Sequence, residues 1–126
     1  MKIDEYKKLL EKEKSASKYH NKKVEFRGET FDSIKERDYY ILLLDRQKRG
    51  EIIGLQRQKT FIIQEAFKMP DGSVIRPITY KADFYYYEYG KGWRVIDVKG
   101  GNATKTDVYK LKKKLLAYKG IYIEEV

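Results

Sequence analysis

The chain has no cysteine, a single histidine and no long apolar run, and each of these absences excludes a class of protein. Without cysteine it can form no disulfide and has neither a thiol nucleophile nor a thiolate zinc site. A Ser-His-Asp triad or a histidine-rich metal site would depend on His20, which lies in a polar stretch and is interpreted as a surface residue. Any metal should therefore have oxygen ligands, which favours Mg²⁺ or Mn²⁺.

Charge is the second feature, because positive residues are in clear excess. Lysine and arginine number 28 against 19 acidic residues, which gives a formal net charge of +9. The basic residues are spread along the whole chain, so we expect a polyanionic partner. No apolar run approaches the ~20 residues of a membrane-spanning helix, and no signal-peptide pattern opens the chain. The sequence thus predicts a soluble, cytoplasmic protein with no membrane partner.

The length of 126 residues and the hydrophobic content of 41% fit one domain with a single core. Residues 1–23 form a predicted basic amphipathic arm, because Tyr6, Leu9 and Leu10 recur at helical spacing among charged residues. Residues 24–126 form the predicted domain. It contains no internal repeat and no low-complexity segment.

The pattern over the domain predicts a helix, three strands, a second helix and a final strand. Asp32 or Ser33 should cap the start of the first helix, and a basic last turn followed by a glycine should end it. The three strands are predicted over residues 51–64, 77–89 and 93–99, and an Asp-Gly turn lies between the first two. They should form an antiparallel meander.

The second helix is predicted from about residue 104 to residue 118. It carries a stripe of the kind that usually faces a core, and its other faces carry lysines. The stripe consists of Val108, Leu111, Leu115 and Tyr118. A glycine ends this helix, and residues 121–123 alternate as a short final strand.

Two acids and a lysine occupy strand positions in a way that is typical of metal-assisted phosphodiester chemistry. Asp97 and Lys99 are two residues apart, so a strand directs both to one face. Asp83 interrupts an aromatic strand, where an acid is disfavoured unless it has a function. Two structural alternatives stay open: an exposed ion pair between Asp97 and Lys99, and a salt bridge from Asp83 to Lys81 or Arg94.

This order of elements, with acids on the second and third strands and Asp97-Val98-Lys99 at the end, resembles the PD-(D/E)XK nuclease superfamily over roughly residues 31–123. The segment 30–40, followed by the strand with Gln56-Arg57-Gln58, is similar to a phage-encoded family of small endonucleases. Similar cores occur in Holliday-junction-resolving enzymes. The resemblance implies an α/β, restriction-endonuclease-like core that hydrolyses DNA phosphodiester bonds with Mg²⁺ or Mn²⁺.

The resemblance also assigns roles to residues of this chain. Asp83 matches the first acid of the superfamily, Asp97 the second, and Lys99 its lysine, while Glu36 on the first helix matches a further metal-binding acid. Asp83, Asp97 and the carbonyl of Val98 would then hold one or two divalent ions that activate a water. Lys99 would orient that water or neutralise charge on the scissile phosphate.

Two assignments remain open within this set. Ser33 and Glu36 also match a capping box, in which the Glu36 carboxylate bonds to the Ser33 amide instead of facing a metal. Either Gln56 or Gln58 matches a glutamine that some members carry near the site, and a bulge in the strand would decide which one points inward.

Several basic residues are predicted to contact phosphates without reading bases. They are Lys22, Lys23, Arg27, Lys105, Lys110, Lys113 and Lys114. The resemblance implies duplex or branched DNA as substrate in phage replication or recombination, hence the host cytoplasm. Small resolvases are commonly homodimers, and the arm is then a candidate dimer element. The alternatives are a non-catalytic nucleic-acid-binding module of the same fold, acting as a phage accessory protein, and an RNA-directed nuclease.

Overall fold

A computed structural model describes residues 23–99 and 105–126. Most of the predicted arm over residues 1–23, including His20 and Lys22, lies outside the described residues. The elements, in chain order, are β1 (Val24–Phe26), β2 (Glu29–Phe31), α1 (Ile34–Lys48), β3 (Ile52–Gln64), β4 (Phe67–Lys68), β5 (Val74–Ile75), β6 (Ile78–Glu88), β7 (Gly92–Asp97), α2 (Asp107–Tyr118) and β8 (Ile123–Glu125). Neither of these helices has the length and apolar character needed to cross a membrane.

A four-stranded sheet in the order β3-β6-β7-β8 is the centre of the fold. β3, β6 and β7 are antiparallel neighbours, as the predicted meander requires. β8 pairs with β7 in parallel, and α2 provides the crossover that a parallel connection needs. The predicted mixed α/β fold is confirmed. The two helices and the strands of the central sheet follow the predicted order, and two small two-stranded sheets, β1-β2 and β4-β5, are additional.

The first helix forms where its caps predict it. The Ser33 hydroxyl accepts a hydrogen bond from the Glu36 N–H at 3.1 Å and so satisfies one unpaired amide of the first turn. Arg49 is the C-cap, and Gly50 follows at a φ of 80°, a left-handed conformation that favours glycine. Between these caps the helix buries Leu43 and Glu36.

The predicted core stripe of the second helix is wrong. Val108 is 62% exposed and Tyr118 is 93% exposed, and Leu111 and Leu115 are exposed as well. The helix starts at residue 107, after the N-cap Thr106, and packs through the face of Tyr109 and Leu116. The Tyr109 hydroxyl donates to Glu125 of β8 at 2.7 Å, and this long-range bond sets a helix rotation that the spacing of apolar residues did not predict.

Two hydrophobic clusters cover the two faces of the sheet. The cluster under α1 consists of Leu43, Ile52, Phe84, Tyr86 and Ile96. The cluster under α2 consists of Ile63, Tyr80, Ala82, Val95, Leu116 and Ile123. Val95 and Ile96 are adjacent in β7 and a strand directs them to opposite faces, so the helices lie on opposite sides of the sheet.

A network of charges joins α1 to three strands at the sheet end farthest from Asp97. The buried Glu88 of β6 is 3.1 Å from Arg46 of α1 and 2.6 Å from Arg94 of β7. Arg94 also binds Glu124 of β8 at 2.5 Å. Hydrogen bonds from Arg94 and Arg46 lower the pKa of Glu88 to about 2.

We predict that Glu88→Gln destabilises the protein, because it removes the charge that Arg46 and Arg94 share. A glutamate with a lowered pKa adds stability above its ordinary pKa of 4.5, and that contribution is lost as the pH falls towards about 2. Near neutral pH the free energy of unfolding should fall by about 1–3 kcal/mol, and the variant should lose less stability on acidification than wild type. Urea denaturation over a pH series measures both effects.

Glu51→Gln is the matched control, because the more exposed Glu51 carboxylate binds the same Arg46 at 3.3 Å. It should change the free energy of unfolding by less than about 1 kcal/mol. Equal effects from the two variants would contradict the role assigned to Glu88.

Candidate functional site

Asp83 lies where β6 and β7 separate. The two strands are paired from Glu88 and Gly92 to Phe84 and Ile96, and Asp83 comes directly after the last pair. Its carboxylate accepts a hydrogen bond from the Val98 N–H at 2.8 Å. An acid is tolerated at this strand position because its side chain satisfies an amide of the neighbouring chain segment.

Asp97 and Lys99 are brought together as their spacing predicts. Lys99 Nζ is 3.0 Å from a carboxylate oxygen of the buried Asp97. The backbone on either side is fixed by the end of the chain, because the Val126 N–H donates to the Asp97 carbonyl at 3.0 Å and the Lys99 N–H donates to the Val126 carbonyl at 2.9 Å. The ammonium also lies 3.6 Å from the ring centroid of Tyr109, a cation–π distance.

Gln58 is the glutamine that belongs to the site. Its side-chain amide donates to Glu36 at 3.1 Å and to Asp83 at 3.5 Å, whereas Gln56 is exposed on the same strand. Gln58 has a φ of 54° in the middle of β3, a left-handed conformation that is uncommon for a residue other than glycine. The left-handed residue interrupts the alternation of side chains along β3. Backbone strain of this kind clusters at functional sites.

Glu36 does not complete the capping box that its sequence context allowed, and its role as a metal ligand stays a prediction. Its N–H takes part in the cap with Ser33, while its side chain is buried and accepts from Gln58. The pKa of Glu36 is raised, chiefly by burial and next by the nearby Asp32, and Arg57 at 3.8 Å opposes that rise. The capping box is thus only half formed, which lets the carboxylate face the site.

Among the acids of the site, Asp83 has the most strongly shifted pKa. Burial first, and then a hydrogen bond with Asp97, raise its pKa to about 8, against the opposing effect of the Val98 N–H. Two carboxylates so close together favour a shared proton or a bound cation over two bare charges. The alternative salt bridge from Asp83 to Arg94 is wrong, because Arg94 binds Glu88 and Glu124.

The donor set fits a divalent ion of the hard, oxygen-binding type. Within residues 23–99 and 105–126 there is no group of three or more His, Cys, Asp or Glu side chains that could hold a metal. Mg²⁺, however, is commonly bound by one or two carboxylates, with water and substrate phosphate as the other ligands. The neighbouring carboxylates of Asp83 and Asp97 match that requirement. Glu36 and the Val98 carbonyl stay predictions as further ligands.

The predicted phosphate contacts that fall in the described residues lie on two elements. Lys23 and Arg27 are exposed at the β1–β2 hairpin. The others, Lys105, Lys110, Lys113 and Lys114, lie on α2 or just before it. Glu125 offsets part of their charge, because it binds Lys105 at 2.7 Å and Lys113 at 3.4 Å.

Four further residues around the site had no assigned role in the sequence. Arg57 is packed 3.8 Å from the Phe31 ring centroid and donates to the Thr30 carbonyl at 3.1 Å. Lys35 donates to the Lys99 carbonyl at 2.6 Å. The other two are Tyr80 and Tyr109, and burial is the main cause that raises the pKa of each. The polar run around Arg57 in a β-branched strand was the only available signal, and it did not distinguish Arg57 from its neighbours.

We predict that Asp83→Asn stabilises the metal-free protein at alkaline pH. The ordinary aspartate pKa of 3.8 is raised to about 8 in the folded state, so wild-type stability falls as the pH rises between these values. Asparagine can still accept from Val98 and has no charge to bury. The variant should exceed wild type by about 1–3 kcal/mol around pH 8 and match it around pH 4 in thermal denaturation with EDTA.

Asp45→Asn serves as the control, since Asp45 is exposed on α1 and binds only a surface arginine, Arg49, at 3.0 Å. Asp45→Asn should be no more stable than wild type at alkaline pH. A loss of stability in Asp83→Asn at alkaline pH would show that Asp83 is an ordinary structural carboxylate.

Comparison with known proteins extends this description. No curated protein and no solved structure matches the chain. A protein-family model matches residues 16–125, and its description is a protein of unknown function, DUF1064. The match spans both helices and all four strands of the central sheet. The chain therefore belongs to the DUF1064 family.

Proposed function

We propose that the protein is a divalent-metal-dependent DNA endonuclease with a PD-(D/E)XK-type core. One observation carries the proposal: two acids from adjacent strands lie close enough for Asp97 to raise the pKa of Asp83, at the point where those strands separate, and Lys99 lies 3.0 Å from Asp97. Metal-assisted hydrolysis of a phosphodiester uses such a set, because the negative oxygens can bind a metal ion and the ammonium can contact a phosphate.

The topology supports the same proposal. Asp83 is on the second strand of the meander and Asp97 on the third, and the last helix leads to a strand parallel to the third. α1 contributes Glu36 from one side of the sheet. The restriction-endonuclease-like arrangement is part of the proposal, and these positions are the ones that the resemblance assigns to its acids.

Each residue has a role that follows from its contacts. The Val98 N–H and the Gln58 amide hold the Asp83 carboxylate in one orientation. Asp83 and Asp97 would hold a divalent ion, which would supply charge that stabilises the transition state and would lower the pKa of a bound water. Lys99, kept beside Asp97, can donate to that water or to a phosphate oxygen.

The cleavage assay uses a labelled four-way junction and a linear duplex of matched sequence, each with Mg²⁺ or Mn²⁺. We predict metal-dependent cutting that Asp97→Asn abolishes and that Lys99→Ala lowers at least about 100-fold. Asp45→Asn should cut like wild type and so exclude a contaminating nuclease. Cleavage that persists in Asp97→Asn would contradict the proposal.

The comparison of the four-way junction with the linear duplex tests a more specific proposal. In that proposal the protein is a homodimer that acts on branched DNA in phage replication or recombination. Preferential cutting of the junction would support it, and equal cutting of both DNAs would keep the nuclease and remove the junction specificity. A parallel reaction with duplex RNA tests the choice of DNA. Gel filtration that gives a monomer would count against the dimer.

A second candidate function is a nucleic-acid-binding module that keeps the fold without turnover. The observation that favours it is the lack, within the described residues, of a three-ligand acidic or histidine group for a metal. It predicts salt-sensitive DNA binding that is independent of metal, and no cleavage of any DNA form. The same assay, followed by a gel-shift measurement in EDTA, separates the two functions.

A further inference from the structure

A continuous row of aromatic rings runs across β6, β7 and the adjoining part of β3. Phe61 meets Tyr85 edge to face at 5.2 Å between ring centroids, and Tyr85 stacks on Trp93 at 4.7 Å. Trp93 then contacts Tyr87 at 5.5 Å, and Tyr87 contacts Tyr89 at 5.8 Å. We call these five residues the aromatic row.

The aromatic row lies on the sheet face opposite α1. Tyr85 and Tyr87 alternate along β6 with Phe84 and Tyr86, which belong to the cluster under α1. Trp93 is 55% exposed, although tryptophan is usually well buried in a folded protein. Tyr89 is exposed as well, whereas Phe61, Tyr85 and Tyr87 are half-buried. A partly exposed aromatic surface of this kind is a feature that marks binding sites.

A cavity of about 370 Å³ opens beside the row. Phe61, Tyr85 and Trp93 form one part of its wall, and Ile121 and Tyr122 form another. Its volume lies within the range of small-ligand sites, about 300–1,000 Å³. Flat rings on its walls favour a flat, apolar ligand face, such as that of a base.

Two lysines lie beside the rings, and one of them, Lys91, is 3.4 Å from the Glu88 carboxylate. Lys59 Nζ lies 5.7 Å from the ring centroid of Tyr85, and Lys91 lines the cavity and is exposed. Glu124 also lines the cavity, but Arg94 binds it at 2.5 Å. With the net charge of +9 for the whole chain, these side chains favour a ligand that joins flat rings to anions.

The row extends from Tyr85 away from the candidate active site, towards the sheet end that holds the charge network of Glu88, Arg94 and Glu124. Tyr85 follows Asp83 by two residues on β6, which is about 7 Å along a strand. Trp93 precedes Asp97 on β7 and is paired with Tyr87. The buried Val95 lies between Trp93 and Asp97 on this face, so the row is a surface separate from the two carboxylates.

We propose that the aromatic row binds single-stranded DNA by stacking on its unpaired bases. The choice of DNA rests on the proposed nuclease function, while the need for unpaired bases rests on the rings. The bases of a duplex are already stacked on each other, so their faces are not available. The natural ligand is therefore a DNA branch or flap with a single-stranded arm.

The experiment measures binding in EDTA, where no cleavage can occur. Trp93 is the only tryptophan, so its fluorescence reports on the row directly. A thymidine oligonucleotide of about 12 nucleotides should quench this fluorescence, and a duplex of equal length should not. Fluorescence anisotropy of a labelled oligonucleotide should give a 5- to 150-fold weaker affinity, roughly, for Trp93→Ala and for Tyr85→Ala.

Two further variants guard the result against folding defects. Trp93→Phe keeps an aromatic ring and should retain most of the affinity. Tyr118→Ala removes a tyrosine that is 93% exposed on α2, outside the row, and should bind like wild type. Equal affinity of Trp93→Ala, Tyr85→Ala and Tyr118→Ala for the oligonucleotide would overturn the inference. Quenching of the Trp93 fluorescence by the duplex would also overturn it, as would tighter binding of a uridine RNA oligonucleotide than of the thymidine one.

These outcomes are independent of the cleavage assay. Loss of oligonucleotide binding in Trp93→Ala, in a protein that cuts no DNA, would keep the aromatic row as a site and overturn only the nuclease. Cleavage that depends on Asp97, combined with unchanged oligonucleotide binding by Trp93→Ala, would support the nuclease function and overturn only the binding role of the aromatic row.

Discussion

The hydrogen bond from the Val98 N–H to the Asp83 carboxylate is the interaction on which the candidate site depends. It holds the side chain at the point where β6 and β7 part, and there Asp83 meets Asp97 and the amide of Gln58. The pairing of the two strands ends just before this contact, at Phe84 and Ile96. The cost is electrostatic, because burial and Asp97 raise the pKa of Asp83 to about 8. The site is thus destabilised until a proton or a cation joins it, as is usual where function and stability conflict.

Much of the fold is local in origin and could be predicted. Ser33 caps α1 because a hydroxyl that accepts from the first turn is favoured over most side chains, and Gly50 ends the helix because glycine tolerates positive φ. The long strands follow from β-branched and aromatic runs between turn residues. Asp97 and Lys99 meet because strand alternation alone brings them to one face.

The remaining features are set by contacts between distant residues. The rotation of α2 depends on the bond from Tyr109 to Glu125, so the apolar spacing of Val108 and Leu111 was misleading. The left-handed Gln58 is strained locally and is kept by its bonds to Glu36 and Asp83, each more than 20 positions away in the sequence. Residue propensities cannot predict this conformation of Gln58, because only its tertiary contacts make it favourable.

The most direct test of the account is a calorimetric titration of the DNA-free protein with Mn²⁺, since a cation between Asp83 and Asp97 is its central claim. Wild type and Asp45→Asn should bind the ion saturably, whereas Asp83→Asn and Asp97→Asn should lose that binding while they remain folded. Saturable binding that survives in both site variants, or its absence from wild type, would contradict the account.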